Sequence, residues 1–360
     1  MRRHLLSIAP LLGIALTSAC ATPGPLAIDT TRADYNSVLQ RTGNEQLLLN
    51  LVRLRYRDTP YFLEVANLTS ILSFQSSSGL GLRLEPGTTT PFNLDGRIVF
   101  EEQPTVAYVP LQGEEFAKQL LTPMGLGTVQ LLTSGGWSIE RILRLCVQRV
   151  NGLANAPSAS GPTPRLQPDH EDFQRLASLL RELQLDGLLT VELTSVDGGV
   201  GLALRIADEA LDDERTERMV ELLGLAPGQR SYPLVASTGE VRTDRIAMEL
   251  RSPMAMLFYA AQSVEVPEDD EDAGVVTVTM RRDGERFDWT DVLGGLIEIQ
   301  SAPERPERAL VAVPYRGAWF YVEDTDLSSK STFLMLTQIF ALQAGEIGGS
   351  APFFTLPIGS

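Results

Sequence analysis

The chain of 360 residues carries 46 acidic against 30 basic residues, a formal charge of −16, and 43% of it is hydrophobic. That balance excludes a nucleic-acid binder, because phosphate recognition draws on clustered Lys and Arg. Length and apolar content are those of a globular protein with one large or two medium-sized domains.

In chain order, Arg2 and Arg3 come first, then an uncharged apolar run from Leu5 to Leu16. This is the layout of a secretory leader, and the run is shorter than the roughly 20 residues a spanning helix needs. The order Leu16-Thr17-Ser18-Ala19-Cys20 resembles the lipobox of bacterial lipoproteins, with Thr17 where that family most often has Leu. The resemblance implies a signal peptide over residues 1–19, cleavage between Ala19 and Cys20, and fatty acid such as palmitate on the Cys20 sulfur. Two or three acyl chains hold a protein stably at a bilayer, where one holds it marginally. Ala21 stands where Asp would mark inner-membrane retention, so the resemblance also implies an outer-membrane location facing the periplasm. The membrane would be the first partner, through Cys20. Loss of Arg2 and Arg3 with the leader leaves 28 basic residues and a net charge of −18.

Residues 20–30, with two prolines and a glycine, read as a lipidated tether. Thr31-x-x-Asp34 and Thr42-x-x-Glu45 match capping boxes, so residues 31–56 read as helix, split or kinked at Gly43. Pro60 ends it. Arg53, Arg55 and Arg57 form a candidate anion site, weighed against a solvated face paired with the surplus acids. Residues 61–110 turn to β texture, with "YFLEVANLTSILSFQ", "GLGLRL", "GRIVFEE" and "TVAYVPL" as separate strands between Gly, Pro and Thr clusters. Helical patterns return in "GEEFAKQLLTPM" and "WSIERILRLCVQRVNGL", with Ser134 or Ser138 as caps. Residues 153–168, rich in Pro, Ser and Ala, read as a linker.

Beyond it, "DHEDFQRLASLLRELQL" reads as a helix and "LLTVELTSVDGGVGLALRIAD" as a hairpin around Asp197-Gly198. "DDERTERMVELLGL" is a charged helix stopped at Gly224, and "SPMAMLFYAAQSV" a helix opened by Pro253. "VVTVTMRR" with "DGERFDW", and "ALVAVPYRGAWFYVED", suggest hairpins, and "STFLMLTQIFALQAG" reads as a core helix stopped at Gly345. The expected architecture is α+β, with antiparallel or mixed sheets, packed helices and two subdomains, 31–152 and 169–360.

Chemistry-bearing residues are sparse. With Cys20 lipidated, Cys146 has no intramolecular partner and reads as a buried, inert thiol. After the leader goes, His170 is the one histidine, which excludes a His-rich zinc site and reads as a solvated first-turn residue. The acidic run Val266–Gly274 fails the calcium-loop template, with Ala273 where Gly is required and Thr279 where the bidentate Glu belongs. It reads as a solvated loop. Lys330, among Ser328, Ser329, Ser331 and Thr332, has no Ser-x-x-Lys and no phosphate-loop glycines, so those hydroxyls read as helix caps. No cofactor motif is present.

Tyr315, Trp319 and Tyr321 in "YRGAWFYVED" are the candidate interaction surface, weighed against core packing, which is the default for these rings. With "GNEQLLLNLVRLRYRD" near the start, this segment resembles outer-membrane lipoproteins of unassigned activity, and the likeness covers the two ends. The expected function is that of a non-enzymatic, lipid-anchored envelope protein binding or supporting a protein or envelope polymer. A glycan hydrolase using paired carboxylates is the alternative, and a calcium-stabilised module a third.

Overall fold

The computed structural model describes residues 23–81, 93–196, 199–236 and 241–344, with side-chain detail over 36–63, 110–195, 201–236 and 241–342. Residues 1–22 with Cys20, the turn at 197–198 and Gly345 lie outside them. The fold is α+β.

Helix α1 (Pro23–Arg55) is continuous over 33 residues. It begins inside the segment read as a tether and runs unbroken through Gly43. Leu48, Leu51, Val52 and Arg55 repeat at helical spacing and are all buried; packing of that stripe outweighs the roughly 1 kcal/mol helix penalty of one glycine. Mid-helix, Thr42 Oγ1 donates back to Val38 O at 2.6 Å instead of capping. The helix stops where Arg57 takes a left-handed φ of 62° and Asp58 N–H donates to Arg53 O at 2.8 Å.

Asn50 then fixes where the chain leaves the helix. Its Nδ2 donates to Tyr61 O and its Oδ1 accepts from Tyr61 N–H, both at 2.9 Å, as a strand neighbour would. From this root rises an antiparallel hairpin, β1 (Leu63–Gly81) with β2 (Asn93–Pro110), paired from Leu63↔Pro110 to Gly81↔Asn93 with one bulge between Val65 and Asn67. Four expected strands are thus two long ones. Each supplies the ladder bonds that carry the other through its Gly- and Ser-rich stretches.

Next come α2 (Glu114–Leu121), α3 (Leu126–Ser134), α4 (Ile139–Cys146), β3 (Val147–Val150) and β4 (Leu153–Ala154). The single helix expected over 137–153 switches to strand at Val147. Ser138 holds the N-cap position without a cap bond; Gln184 Oε1 instead accepts from Ile139 N–H at 3.0 Å. They are followed by α5 (Glu171–Leu185), β5 (Leu189–Val196), β6 (Gly199–Ile206), α6 (Glu214–Leu223), β7 (Ser231–Ala236), β8 (Ile246–Leu250) and α7 (Pro253–Ala261). Left-handed Gly224 ends α6 and Pro253 opens α7 where the sequence puts them, and the structure adds Asp213 and Ser252 as their N-caps.

Six strands form one mixed sheet in the order β4-β3-β8-β7-β6-β5, with β7 and β8 parallel. Apolar residues of α3 to α6, such as Ile142, Leu176 and Leu223, meet Leu204, Leu234 and Met248 of the sheet. The sheet takes strands from both sides of residues 153–168, so that segment does not separate two bodies. Ala156 and Ala159 are fully buried in it, Asn155 and Thr163 nearly so, and Ala156 keeps a left-handed φ of 44°. Such a conformation costs about 1–2 kcal/mol for a non-glycine residue and persists where packing dictates it.

The chain ends with α8 (Glu268–Asp272), α9 (Thr290–Leu293), β9 (Gln300–Ala302), β10 (Ala309–Tyr315), β11 (Ala318–Glu323) and α10 (Leu327–Ala344). The acidic run is therefore a short helix, not a loop. The hairpin expected over 275–289 reduces to a Met280↔Arg286 bridge. β9, β10 and β11 make an antiparallel sheet turned at Arg316-Gly317, both at positive φ, as a two-residue hairpin turn requires. One side of α10 is buried through Phe333, Met335, Leu336 and Ile339, while Leu334 and Leu342 are exposed. Its start is capped by Asp326, whose Oδ1 accepts from Ser328 and Ser329 N–H at 3.0 Å. The serine hydroxyls tie inward instead, Ser329 Oγ accepting from Glu298 N–H at 2.8 Å.

Arg251, 1% exposed, ends β8 in the core. Its Nη1 donates to Arg144 O, Leu145 O and Val147 O at 3.2, 3.1 and 2.9 Å, its Nη2 to Asn155 O, and its Nε to Ser160 Oγ at 3.2 Å. The guanidinium lies 3.8 Å from the Tyr259 ring centroid. Burial pulls its pKa down to about 10, which leaves a cation at neutral pH. Arg251→Met should strand these carbonyls and destabilise the fold by about 3–5 kcal/mol, read as a drop in the urea midpoint.

Cys146 is a free, fully buried thiol, and burial pushes its pKa up to about 12. The unfolded thiol titrates near 8.5, so above that pH the unfolded chain releases a proton the native state keeps, and stability falls as pH rises. Cys146→Ala should lose less stability than wild type between pH 8 and 10, by about 2 kcal/mol, in urea titrations at the two pH values.

Candidate functional site

The end of α1 forms one wall of a cleft of about 260 Å³ that also takes residues from α7, α8 and α9. Of the arginine triplet, Arg55 alone lies on the buried stripe, 5% exposed. It is not part of a solvated face. Its Nη1 donates to Thr277 O at 2.9 Å and Thr163 Oγ1 at 3.3 Å, while its Nε is buried without a partner. Desolvation lowers its pKa, and Glu271 opposes that. Gln262, 3% exposed at the end of α7, donates from Nε2 to Phe258 O at 2.9 Å and leaves Oε1 buried and unpartnered. Both residues line the cleft.

Opposite them, Glu271 and Arg286 pair at 2.7 Å, and Trp289 Nε1 donates to Thr279 Oγ1 at 3.2 Å. Glu265, Asp288 and Glu298 complete the acidic lining, with Glu265 Oε2 accepting from Ser301 N–H at 2.9 Å. The walls of the cleft thus bury one unsatisfied donor and one unsatisfied acceptor beside a small mixed-charge space, the size of a small polar molecule or a few waters. Among the described residues no three His, Cys, Asp or Glu side chains gather as metal ligands. The arginine alternation marked Arg55 as a candidate; Gln262, Thr279 and Trp289 carry no local signal, because chain segments far apart in sequence bring them together.

A second polar cluster lies at the outer corner of α1. Tyr56 donates to Asp270 Oδ2 at 2.6 Å, Tyr315 donates to Asp58 Oδ2, and Arg316 Nη2 donates to the same oxygen at 3.1 Å. The Tyr56 and Tyr315 rings meet edge-on at 5.5 Å. The Tyr315 hydrogen bond, with Arg316, holds the Asp58 carboxyl below its ordinary pKa; burial foremost, then Asp58, raises that of Tyr315.

The structure does not bring Tyr315, Trp319 and Tyr321 onto one surface. Tyr315 shares the face of Val311 and Val313 and is engaged with Asp58; Phe320, between the other two, is fully buried. Trp319 and Tyr321 are half-buried on the opposite face, where Arg305 lies 5.3 Å from the Trp319 ring centroid. His170 is half-buried at the N-cap of α5, with Nδ1 3.0 Å from Pro168 O and its ring edge-on to Phe287. Lys330 pairs with Asp324 at 2.6 Å.

The Asp58 clasp joins α1 to the last hairpin. A double-mutant cycle of Asp58→Asn and Tyr315→Phe should give a coupling energy of about 1–2 kcal/mol in urea unfolding; additive effects would show that the clasp holds nothing.

Comparison of the chain with protein-family models, with curated proteins and with solved structures finds no match.

Proposed function

We propose that this protein is a lipid-anchored, non-enzymatic component of the bacterial outer membrane, facing the periplasm and supporting an envelope protein or polymer. The reading rests above all on Cys20, which follows the apolar leader and Leu16-Thr17-Ser18-Ala19. The start of α1 supports it too: a helix opening at Pro23, three residues past the acylation site, would hold the body close to the bilayer surface. A net negative body repels anionic lipid, so covalent acyl chains are the attraction that would keep it there.

A glycan hydrolase is the second reading, favoured by the acidic lining of the Arg55 cleft. Two of its carboxylates are already committed, Glu271 to Arg286 and Glu265 to the Ser301 amide. A base held in an ion pair is poorly placed to exchange protons, so the binding role is preferred.

Cells fed an alkyne-tagged palmitate should label the wild-type protein, and it should fractionate with outer membrane. Cys20→Ala should take up no label and leave the membrane fraction almost entirely. An unlabelled wild type would overturn the reading.

A further inference from the structure

Among the described residues the β1–β2 hairpin is a sheet of two strands. Its 18- to 19-residue strands reach roughly 60 Å at about 3.3 Å per residue. Among the described residues, no other strand pairs with either edge. An isolated two-stranded ribbon is marginal in water, and unpaired edges are templates for further strands.

The register sorts its residues into two unlike faces. From the pair Leu72↔Glu102 outward, one face carries Phe74↔Phe100, Ser76↔Ile98, Ser78↔Gly96 and Leu80↔Leu94. Glu102, midway along the hairpin, is the one charge in this stretch, and inward of it the same face continues through Ser70↔Pro104 and Leu68↔Val106. The other face carries Ser73↔Glu101, Gln75↔Val99, Ser77↔Arg97, Gly79↔Asp95 and Gly81↔Asn93. Among the paired residues, the charges farther out than Glu102, namely Glu101, Arg97 and Asp95, are all on that face, and Val99 is its one large apolar residue. Beyond Glu102 the uncharged face runs seven positions per strand, from Phe74↔Phe100 to Leu80↔Leu94, and the strands as a whole, at 18 to 19 residues, exceed the 9–11 that a tilted transmembrane strand needs. Alternation of apolar and polar over such a length is the pattern of a barrel wall between lipid and water.

We infer that copies of this chain pool their β1–β2 hairpins, edge to edge, into one closed antiparallel barrel that spans a bilayer. The apolar face meets acyl chains and the polar face surrounds an aqueous lumen. Closure satisfies both edges of every hairpin, the condition for backbone to cross lipid as sheet. Each copy adds two strands, so the count is even, and the smallest closed wall of eight strands takes four copies. The Asn50 root ties each hairpin to its body, which keeps the bodies as a collar at one membrane face. Lipid on Cys20 would concentrate the copies but is not required by the geometry.

The test uses full-length protein extracted from membranes in mild detergent, sized by light scattering and added to planar phosphatidylcholine bilayers. Wild type should run as four or more copies and give stepwise conductance. Phe74→Asp, on the apolar face, should abolish conductance while far-UV circular dichroism and palmitate labelling at Cys20 persist. Ser77→Asp, on the polar face, should keep conductance and shift the reversal potential toward cation selectivity. A monomeric, non-conducting wild type, or equal behaviour of the two variants, would overturn the inference. Conductance without palmitate label would sink the lipid anchor and leave the barrel standing.

Discussion

The body is organised around a cation with no counter-ion. Arg251 sits at the core among the carbonyls that end α4 and begin β3, and no carboxylate joins it. The last carbonyls of a helix have no partners of their own and carry the negative end of its dipole. A planar guanidinium satisfies several at once, which a lysine could not match in geometry. Asn155 reinforces the arrangement, donating to Arg144 O and Val147 O at 2.8 and 2.7 Å and accepting from Tyr259 at 3.1 Å. This is why the chain turns from helix to strand at Val147, where the apolar pattern alone would continue the helix, and why residues 155–160 are drawn into the core.

The same device recurs outward. Arg144 donates to Val292 O and Gly294 O at 3.0 and 2.9 Å. Arg141 reaches Ser328 O at 2.8 Å and Thr332 beside it, so two arginines one turn apart on α4 stitch α9 and α10 to that helix. Only two lysines occur in the whole chain. Arg144 also pairs with Glu140 at 3.3 Å, whereas Arg251, spent wholly on buried carbonyls and Ser160, neutralises no surface acid.

Elements announced by local chemistry were legible in the sequence: the Gly224 stop of α6, Pro253 at the start of α7, the β5–β6 and β10–β11 hairpins. Their signals depend on residues within a few positions of each other. What the sequence concealed was set at long range. Residues 153–168 have a linker's composition because small residues are what a guanidinium and a tight turn admit, and burial of Ala156 and Ala159 has no local signature. Gly43 reads as a break until the Leu48–Leu51–Val52 stripe is seen to be packed. In the Arg55 cleft the arginine was visible, but its partners come from three later segments.

The corner after α1 links these features mechanically. Between Arg55, in the cleft wall, and Leu63, at the hairpin root, the chain is gripped at both ends of a short span. Asp58 is held by Tyr315 and Arg316, and Tyr61 by a two-bond clamp from Asn50. Arg57, in its left-handed conformation, donates to Thr163 O at 3.2 Å. A segment pinned this densely has no slack to absorb a swing of the hairpin. The hairpin root is thereby tied through these bonds to α1 and to the cleft residue Arg55 that it carries.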